Sequence, residues 1–251
     1  MREAFVAAIL AVAAVLGSWP TSGQAADQRW FSRTELLVST QPMSREYRKV
    51  LSAQPRETGP LAGTALRIER VFGRILQQAK RLRPGTEQWD WQLVLVANDA
   101  LSPFALPDGQ IVISPKWVCS RRLTDAEIAL VVAHEMAHVL SEHMLERVSA
   151  FAAARPAANM RVSDVFRMLE HEWYLARELE PLMQAQEQEA DRIGMTIVCA
   201  AGISRSRALT LFDKMARAER GASFVNSHAE SLERKASLAD WTRAQNLECL
   251  D

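Results

Sequence analysis

The chain has 251 residues, of which 48% are hydrophobic and 24% charged, as is typical of a globular protein with a sizeable core. Lysine plus arginine and aspartate plus glutamate are balanced at 30 each, so the composition lacks the basic excess of many nucleic-acid-binding proteins. We therefore expect a single globular domain with no nucleic-acid partner.

The N-terminus is typical of a targeting segment. An apolar run from Ala4 to Leu16 follows Arg2, and small residues and a proline come after it. So short an apolar run favours a cleaved signal peptide (1–26), with an uncleaved N-terminal membrane anchor as the alternative. No later segment of the sequence has the length and hydrophobicity of a membrane span. We therefore expect 27–251 to be an exported, periplasmic domain, associated with the envelope at most peripherally.

A polar, Arg-rich lead-in precedes the first clear element. Residues 27–58 have an ambiguous helical pattern, and they end at PRETGP, where two prolines and a glycine predict a boundary. Apolar residues at helical spacing then predict a helix over 61–82 with one buried face. The lead-in either packs on the single domain or extends from it.

Two runs, 91–99 and 110–114, are typical of buried strands. Between them, prolines flank Phe104, Ala105 and Leu106. Because proline cannot donate to a sheet ladder, these three residues belong at a sheet edge or in an exposed loop. We therefore expect a small antiparallel sheet, a hairpin with one exposed edge strand.

The chain after Lys116 is predicted to be helical. Thr124 and Glu127 form a capping box, which begins a helix that we expect to run to about residue 148. Further helices are predicted over 164–179, 181–202, 204–220 and 229–246. The predicted fold class is therefore α+β, mainly α-helical.

Three cysteines, Cys119, Cys199 and Cys249, are too widely spaced for a zinc ribbon or a redox C-x-x-C sequence. In an oxidising compartment two could pair, and Cys199 with Cys249 is the candidate pair because both adjoin late helices. Three buried, unreactive thiols are the alternative.

The sequence VVAHEMAHVL holds the clearest chemical pattern. His134 and His138 lie one helical turn apart, so their rings share a face. Glu135 points about 100° around the helix, where it can reach a ligand on a bound metal without coordinating. This is H-E-x-x-H, with two imidazoles for zinc and a carboxylate as general base. The alternative is a pair of hydrogen-bonded core histidines.

A catalytic zinc needs a third protein ligand. His143 is predicted to turn to the opposite side of the same helix, as a solvated or packing histidine. In QEQEADRIG, Glu187 and Asp191 share a helix face, whereas Glu189 points elsewhere. Glu187 is therefore the candidate third ligand and Asp191 a carboxylate that orients a ligand histidine. A solvated acidic face is the alternative.

HEMAH followed by E-x-x-x-D, and preceded by FALPDGQIVIS, resembles metallopeptidase family M48, which includes HtpX-like and soluble BepA-like members. The resemblance runs from about Leu66 to Arg234. It implies a gluzincin fold, a zincin-type helical domain with an edge strand along the cleft. It also implies one zinc ion per chain, held by His134, His138 and Glu187, with Glu135 as general base and Asp191 behind the ligands.

Two further segments share this resemblance. Phe104, Ala105 and Leu106 resemble the family's edge segment, where an extended substrate pairs by backbone hydrogen bonds. SHAESLER, residues 227–234, resembles a late segment in which His228 would reach the zinc as a switch and Arg234 would be an active-site arginine. An exposed loop histidine is the alternative for His228.

These patterns together predict a zinc-dependent endopeptidase that cleaves unfolded or misfolded exported polypeptides in extended conformation, in envelope protein quality control. The alternative is a chaperone-like or binding protein that retains a closed, regulatory or structural zinc site. A membrane-embedded prenyl-peptide protease is disfavoured, because the sequence after residue 26 lacks spanning segments.

Overall fold

A computed structural model describes residues 30–53, 59, 61–87, 89–98, 100–171, 177–219, 231–245, 247, 249 and 250. The predicted signal peptide (1–26) lies outside these residues. The elements in this part are α1 (Arg33–Ala53), α2 (Ala62–Leu82), β1 (Gln92–Leu95), β2 (Phe104–Ala105), β3 (Gln110–Ile113), α3 (Pro115–Ser120), α4 (Asp125–Leu140), α5 (His143–Ala153), α6 (Val162–His171), α7 (Glu180–Ala200), α8 (Arg205–Glu219) and α9 (Ser231–Ala244). The predicted α+β, mainly helical fold class is confirmed.

Helix α4 lies at the centre of the main hydrophobic core, where it packs against α2, α7 and α8. Its apolar residues, such as Val132 and Met136, are buried on almost every side. The predicted capping box is present: the Thr124 hydroxyl accepts from the N–H of Glu127 at 3.4 Å, and Glu127 Oε2 accepts from the N–H of Thr124 at 2.6 Å. These bonds satisfy two backbone donors of the first turn, so the start of α4 is set by local sequence.

The sheet is small and mixed, with the strand order β1-β3-β2. β2 pairs antiparallel with β3 through Phe104 and Val112, but β1 pairs parallel with β3 from Gln92 opposite Gln110. The predicted antiparallel hairpin of the two longer strands is therefore wrong. The chain reverses twice between them, and the tight turn joins β2 to β3 at Gly109, which has φ +100°. β2 lies at the sheet edge, as predicted.

Helix α4 ends at Leu140, although the sequence predicts that it runs to about residue 148. Glu142 adopts a left-handed backbone with φ 55°, and α5 begins at His143. Left-handed backbone is uncommon for a residue other than glycine, so nothing local signals the break. Arg33 Nη1 donates to Glu142 Oε1 at 3.3 Å, so a residue 109 positions away helps to hold this turn.

Helix α1 falls within the ambiguous lead-in and packs on the domain. Leu36 is buried in a second core cluster with Phe151 and Phe166 of α5 and α6. On the other side, the Tyr47 ring meets the Phe104 ring of β2 edge-to-face, with the centroids 5.5 Å apart. The helix therefore bridges the α5–α6 pair and the edge of the sheet.

A disulfide joins Cys199, near the end of α7, to Cys249 in the C-terminal tail. The predicted pair is confirmed, and the alternative of three buried thiols is wrong, since the Cys119 thiol is exposed. None of the helices in the described part of the chain combines the length and hydrophobicity that crossing a bilayer requires.

Candidate metal centre

Helix α4 presents His134 and His138 toward one point. Their Nε2 atoms lie 3.0 Å apart, and His134 is buried. Helix α7 brings Glu187 to the same point: Glu187 Oε2 lies 3.3 Å from His134 Nε2, and Glu187 Oε1 lies 3.4 Å from His138 Nε2. The two histidines and the carboxylate predicted from the sequence are therefore brought together.

Gly194 allows α7 to approach α4 this closely. A Cβ atom at this position would lie 3.0 Å from the backbone nitrogen of His134 and 3.2 Å from its Cα. Those distances are shorter than ordinary van der Waals contact, so only glycine fits without a shift of the backbone. Gly194 lies two turns after Glu187 on α7, and its contact therefore helps to set the distance between the carboxylate and the histidines.

The three side chains suit a zinc ion. Their ligand atoms all lie within 4.8 Å of one another. Zinc bonds of about 2.0–2.2 Å at tetrahedral angles separate neighbouring donors by roughly 3.4 Å. Here the two Nε2 atoms lie 3.0 Å apart, and one Glu187 oxygen lies 3.3 Å from His134 Nε2 while the other lies 3.4 Å from His138 Nε2. Two imidazoles and one carboxylate also form a known set for catalytic zinc, which leaves the fourth position for water or substrate.

Asp191 and Arg234 lie directly behind these side chains. Asp191 Oδ1 lies 3.1 Å from His134 Nδ1, as expected for a carboxylate that orients a ligand ring. Arg234 donates to Asp191 from Nε at 2.8 Å and from Nη2 at 2.7 Å, and its Nη1 lies 3.3 Å from Glu187 Oε2. The arginine therefore joins the two carboxylates that the sequence predicts on one face of α7.

The electrostatics of the site favour a cation. Burial alone would lower the pKa of His134, but hydrogen bonds to Asp191 and Glu187 outweigh it and raise the pKa to about 10. For Asp191, burial acts to raise the pKa, and the hydrogen bonds from Arg234 and His134 outweigh it and lower the pKa. The Asp191 carboxylate therefore holds negative charge against His134, in a site where a bound metal ion would be stabilised.

Glu135 lies at the wall of a cavity of about 190 Å³ that also contacts His138 and Glu187. Its side chain is buried, with 5% of its surface exposed. The lining includes the edge segment, the start of α5 and three residues of α1: Arg33, Leu36 and Met43. This arrangement places the Glu135 carboxylate at the wall of a mostly apolar cleft that His138 and Glu187 also line.

The sequence model of peptidase family M48 matches residues 63–242. The chain belongs to peptidase family M48. Members of this family are zinc-dependent metallopeptidases, so the predicted family, the zinc cofactor and the enzyme class are confirmed at the level of the family. The soluble, BepA-like or HtpX-like subtype is not confirmed by this match.

Three relatives of this M48 chain are each named mitochondrial metalloendopeptidase OMA1. The protein from Schizosaccharomyces pombe is 24% identical over 222 residues, which is 86% of this chain and 64% of that protein. The protein from Saccharomyces cerevisiae is 24% identical over 250 residues, covering 86% and 66%, and the protein from Arabidopsis thaliana is 24% identical over 162 residues, covering 59% and 31%. The chain thus spans less than two thirds of the length of these relatives.

The mitochondrial relatives contradict the predicted exported, periplasmic localisation, which is wrong by this comparison. The prediction depended on the short apolar run before residue 26. Such a run shows only how hydrophobic and how long the segment is, and several kinds of targeting segment share these properties. The compartment therefore does not follow from the run.

In this M48 chain the edge segment lies along the cavity. Phe104 and Ala105 form β2 and are half-buried, whereas Leu106 follows the strand in the turn, where its side chain is buried. The N–H of Leu106 donates to the carbonyl of Gln110 at 2.8 Å, so this donor is already used within the hairpin. Phe104 and Ala105 are therefore the part of the predicted segment that lies on the outer edge of the sheet.

His143 is a residue that the sequence reasoning misplaced. Because α4 ends at Leu140, His143 does not continue that helix to its opposite side, and its ring turns back toward the histidine pair. It is 2% exposed, and its Nδ1 lies 2.8 Å from His138 Nδ1. The predicted position on the opposite side of the helix and the solvated alternative are therefore wrong, whereas the packing alternative agrees with this burial. His228 lies outside the described residues.

Proposed function

We propose that this M48 chain is a zinc-dependent endopeptidase that hydrolyses unfolded or misfolded polypeptides in extended conformation. The observation that carries the proposal is the convergence of His134, His138 and Glu187, since two of these residues line the same cleft as Glu135. A structural zinc site is normally closed by four protein ligands, whereas three ligands beside a cleft are typical of a catalytic site.

His134, His138 and Glu187 would hold the zinc ion. When bound, zinc acts as a Lewis acid that polarises a substrate carbonyl and lowers the pKa of water toward neutrality. Asp191 keeps the His134 ring in one orientation by accepting a hydrogen bond from Nδ1–H. The unprotonated Nε2 then faces the metal as the ligand atom.

Glu135 is the proposed general base. Its carboxylate accepts a proton from the attacking water and delivers it to the nitrogen of the leaving amine when the peptide bond breaks. Its burial beside the cleft keeps bulk water away from this carboxylate, which strengthens its interaction with nearby charges. Arg234 is proposed to act at the same site through its contacts with Glu187 and Asp191.

The edge segment is the proposed substrate-binding strand. Phe104 and Ala105 pair with β3 on one side only within the described part of the chain, so the backbone groups on the other side of β2 can pair with an extended peptide. Such pairing recognises the peptide backbone, and it therefore favours unfolded chains over folded ones. We also propose that His228 binds at the zinc as a switch that closes the site. If so, His228→Ala should raise cleavage.

Replacing Glu135 by glutamine tests the mechanism. The amide has the same size but cannot accept the proton, so cleavage of an unfolded casein-like polypeptide should fall by about 10²–10⁴-fold while zinc content stays at one per chain. Glu180→Gln, the same change at an exposed position at the start of α7, is the matched control and should cleave like the wild type. Wild-type cleavage by Glu135→Gln would overturn the mechanism. A wild-type chain that binds zinc and cleaves no polypeptide would favour the chaperone-like alternative.

A further inference from the structure

The two ligand histidines of α4 have different partners at Nδ1. His134 has the Asp191 carboxylate, at 3.1 Å. His138 has a second imidazole, because His143 Nδ1 lies 2.8 Å from His138 Nδ1 with the ring centroids 4.9 Å apart. This contact is as short as a good hydrogen bond, so one of the two nitrogens donates and the other accepts.

The direction of this hydrogen bond follows from the role of His138. A histidine that binds a metal through Nε2 carries its proton on Nδ1. His138 must then donate from Nδ1, and His143 Nδ1 must accept. His143 in turn carries its own proton on Nε2, which makes no hydrogen bond within the described residues and lies 3.6 Å from Glu189 Oε2. The three residues thus lie in one order: His138 donates to His143, and the Nε2–H of His143 faces the Glu189 carboxylate.

The surroundings hold His143 and Glu189 in place. The His143 backbone carbonyl accepts from Gln186 Nε2 at 3.3 Å, and Gln186 directly precedes the ligand Glu187 on α7. Glu189 Oε1 accepts from the Ser141 hydroxyl at 3.1 Å, in the turn where α4 ends. Because α4 ends at Leu140, earlier than predicted, His143 lies over His138. Helix α7 supplies the Glu189 carboxylate on the far side of His143.

We propose that His143 is the positioning residue for the ligand His138, with Glu189 as its carboxylate partner, and that it fixes the tautomer and ring orientation with which His138 meets zinc. This inference rests on the zinc site of the proposed function and extends it. Groups that orient a metal-binding histidine typically change metal affinity by about 10–100-fold when they are removed.

Two substitutions of His143 separate positioning from packing. His143→Asn keeps an acceptor close to the place of Nδ1, whereas His143→Leu keeps a buried side chain and removes the acceptor. We expect zinc affinity, measured by competition with a chromophoric chelator, to fall by about 10–100-fold in His143→Leu and to stay near the wild-type value in His143→Asn. Glu189→Ala should weaken zinc binding less than His143→Leu does, since Glu189 acts one step further away.

Cobalt spectroscopy provides a readout that packing alone would not change, and unfolding in chelator measures the contribution of packing. The visible absorption of the Co²⁺-loaded protein should shift in His143→Leu and not in His143→Asn, because it reports the orientation of the ligands. Equal zinc affinity and equal Co²⁺ spectra in the wild type and His143→Leu would overturn the proposal. Equal losses of zinc affinity in both variants, matched by equal losses of stability in chelator, would overturn it in favour of packing. If zinc affinity falls in His143→Leu and not in His143→Asn, but the wild type cleaves nothing, the proposed function would be overturned and the positioning role supported.

Discussion

Replacing Gly194 by alanine would place a methyl group against the backbone of the metal-binding helix. The new Cβ would lie 3.0 Å from the nitrogen of His134, 3.2 Å from its Cα and 3.3 Å from the carbonyl carbon of Ala133. All three are backbone atoms, so no side chain can rotate away to make room. Helices α7 and α4 must therefore separate, and Glu187 must move away from the histidine pair.

Two opposing effects set the size of the change. Alanine in place of glycine inside a helix stabilises by about 0.5–1 kcal/mol, because glycine loses more conformational freedom on folding. An extra methyl group in a tightly packed contact costs about 1–3 kcal/mol. We expect Gly194→Ala to lower the free energy of unfolding by roughly 1–2 kcal/mol. Zinc affinity should fall as well, because the distance from Glu187 to the histidines increases.

Gly73→Ala is the matched control, since Gly73 lies inside α2 and a Cβ there would meet no atom within 4 Å. It should gain about 0.5–1 kcal/mol and bind zinc like the wild type. Urea unfolding in the presence of chelator gives the stabilities, and chelator competition gives the zinc affinities. If Gly194→Ala were as stable as Gly73→Ala and bound zinc with wild-type affinity, the claim that this contact sets the ligand geometry would be refuted.

Two further changes test how much the disulfide and a buried carboxylate contribute to the stability of the fold. Replacing both Cys199 and Cys249 by serine should lower the free energy of unfolding by about 2–4 kcal/mol, because the disulfide closes a long loop across a sequence separation of 50. Glu127→Gln tests pH dependence through urea unfolding at several pH values. Burial acts to raise the pKa of Glu127, but hydrogen bonds from Lys214 and the Thr124 backbone outweigh it and lower the pKa below its usual 4.5. The carboxylate thus stabilises the fold above about pH 4.5, and this contribution is lost as the pH falls through the lower folded-state pKa.

The disulfide change has a matched control, and each of the two changes has a result that would contradict it. Cys119→Ser, at the exposed thiol, should leave stability unchanged. Equal stability of the double serine variant and the wild type under non-reducing conditions would contradict the role of the disulfide. For Glu127, the difference in unfolding free energy between wild type and Glu127→Gln should shrink on acidification below pH 4.5. A difference that is constant with pH would contradict the assigned pKa direction.

The features that depend on local spacing could be predicted from the sequence. The helical period of α2, the capping box before α4 and the i, i+4 pairs His134–His138 and Glu187–Asp191 each report geometry within a single helix. The convergence of the two pairs did not follow from spacing alone: it was a hypothesis from the need for a third zinc ligand, and the family resemblance implied the same ligands. The contact at Gly194 has a local signal that was missed, because a glycine inside a helix without a capping role often marks a close approach.

The errors arose where distant residues decide the local structure. The parallel pairing of β1 with β3 depends on the extra reversal through β2, which the strand patterns alone do not encode. The break after Leu140 depends on a left-handed Glu142 that Arg33 holds from the far end of the chain. That one missed turn changed the interpretation of His143 from a solvated or packing side chain on the opposite side of the helix to a buried neighbour of His138.

The position of zinc in crystals of the zinc-loaded chain tests the account most directly. Anomalous diffraction at the zinc edge should give one strong peak per chain, within about 2.0–2.2 Å of Nε2 of both His134 and His138 and of a Glu187 carboxylate oxygen. The peak should be lost or strongly weakened in crystals of Glu187→Ala grown at the same zinc concentration. A principal peak elsewhere, such as at Cys119, or an unchanged peak without Glu187, would contradict the account.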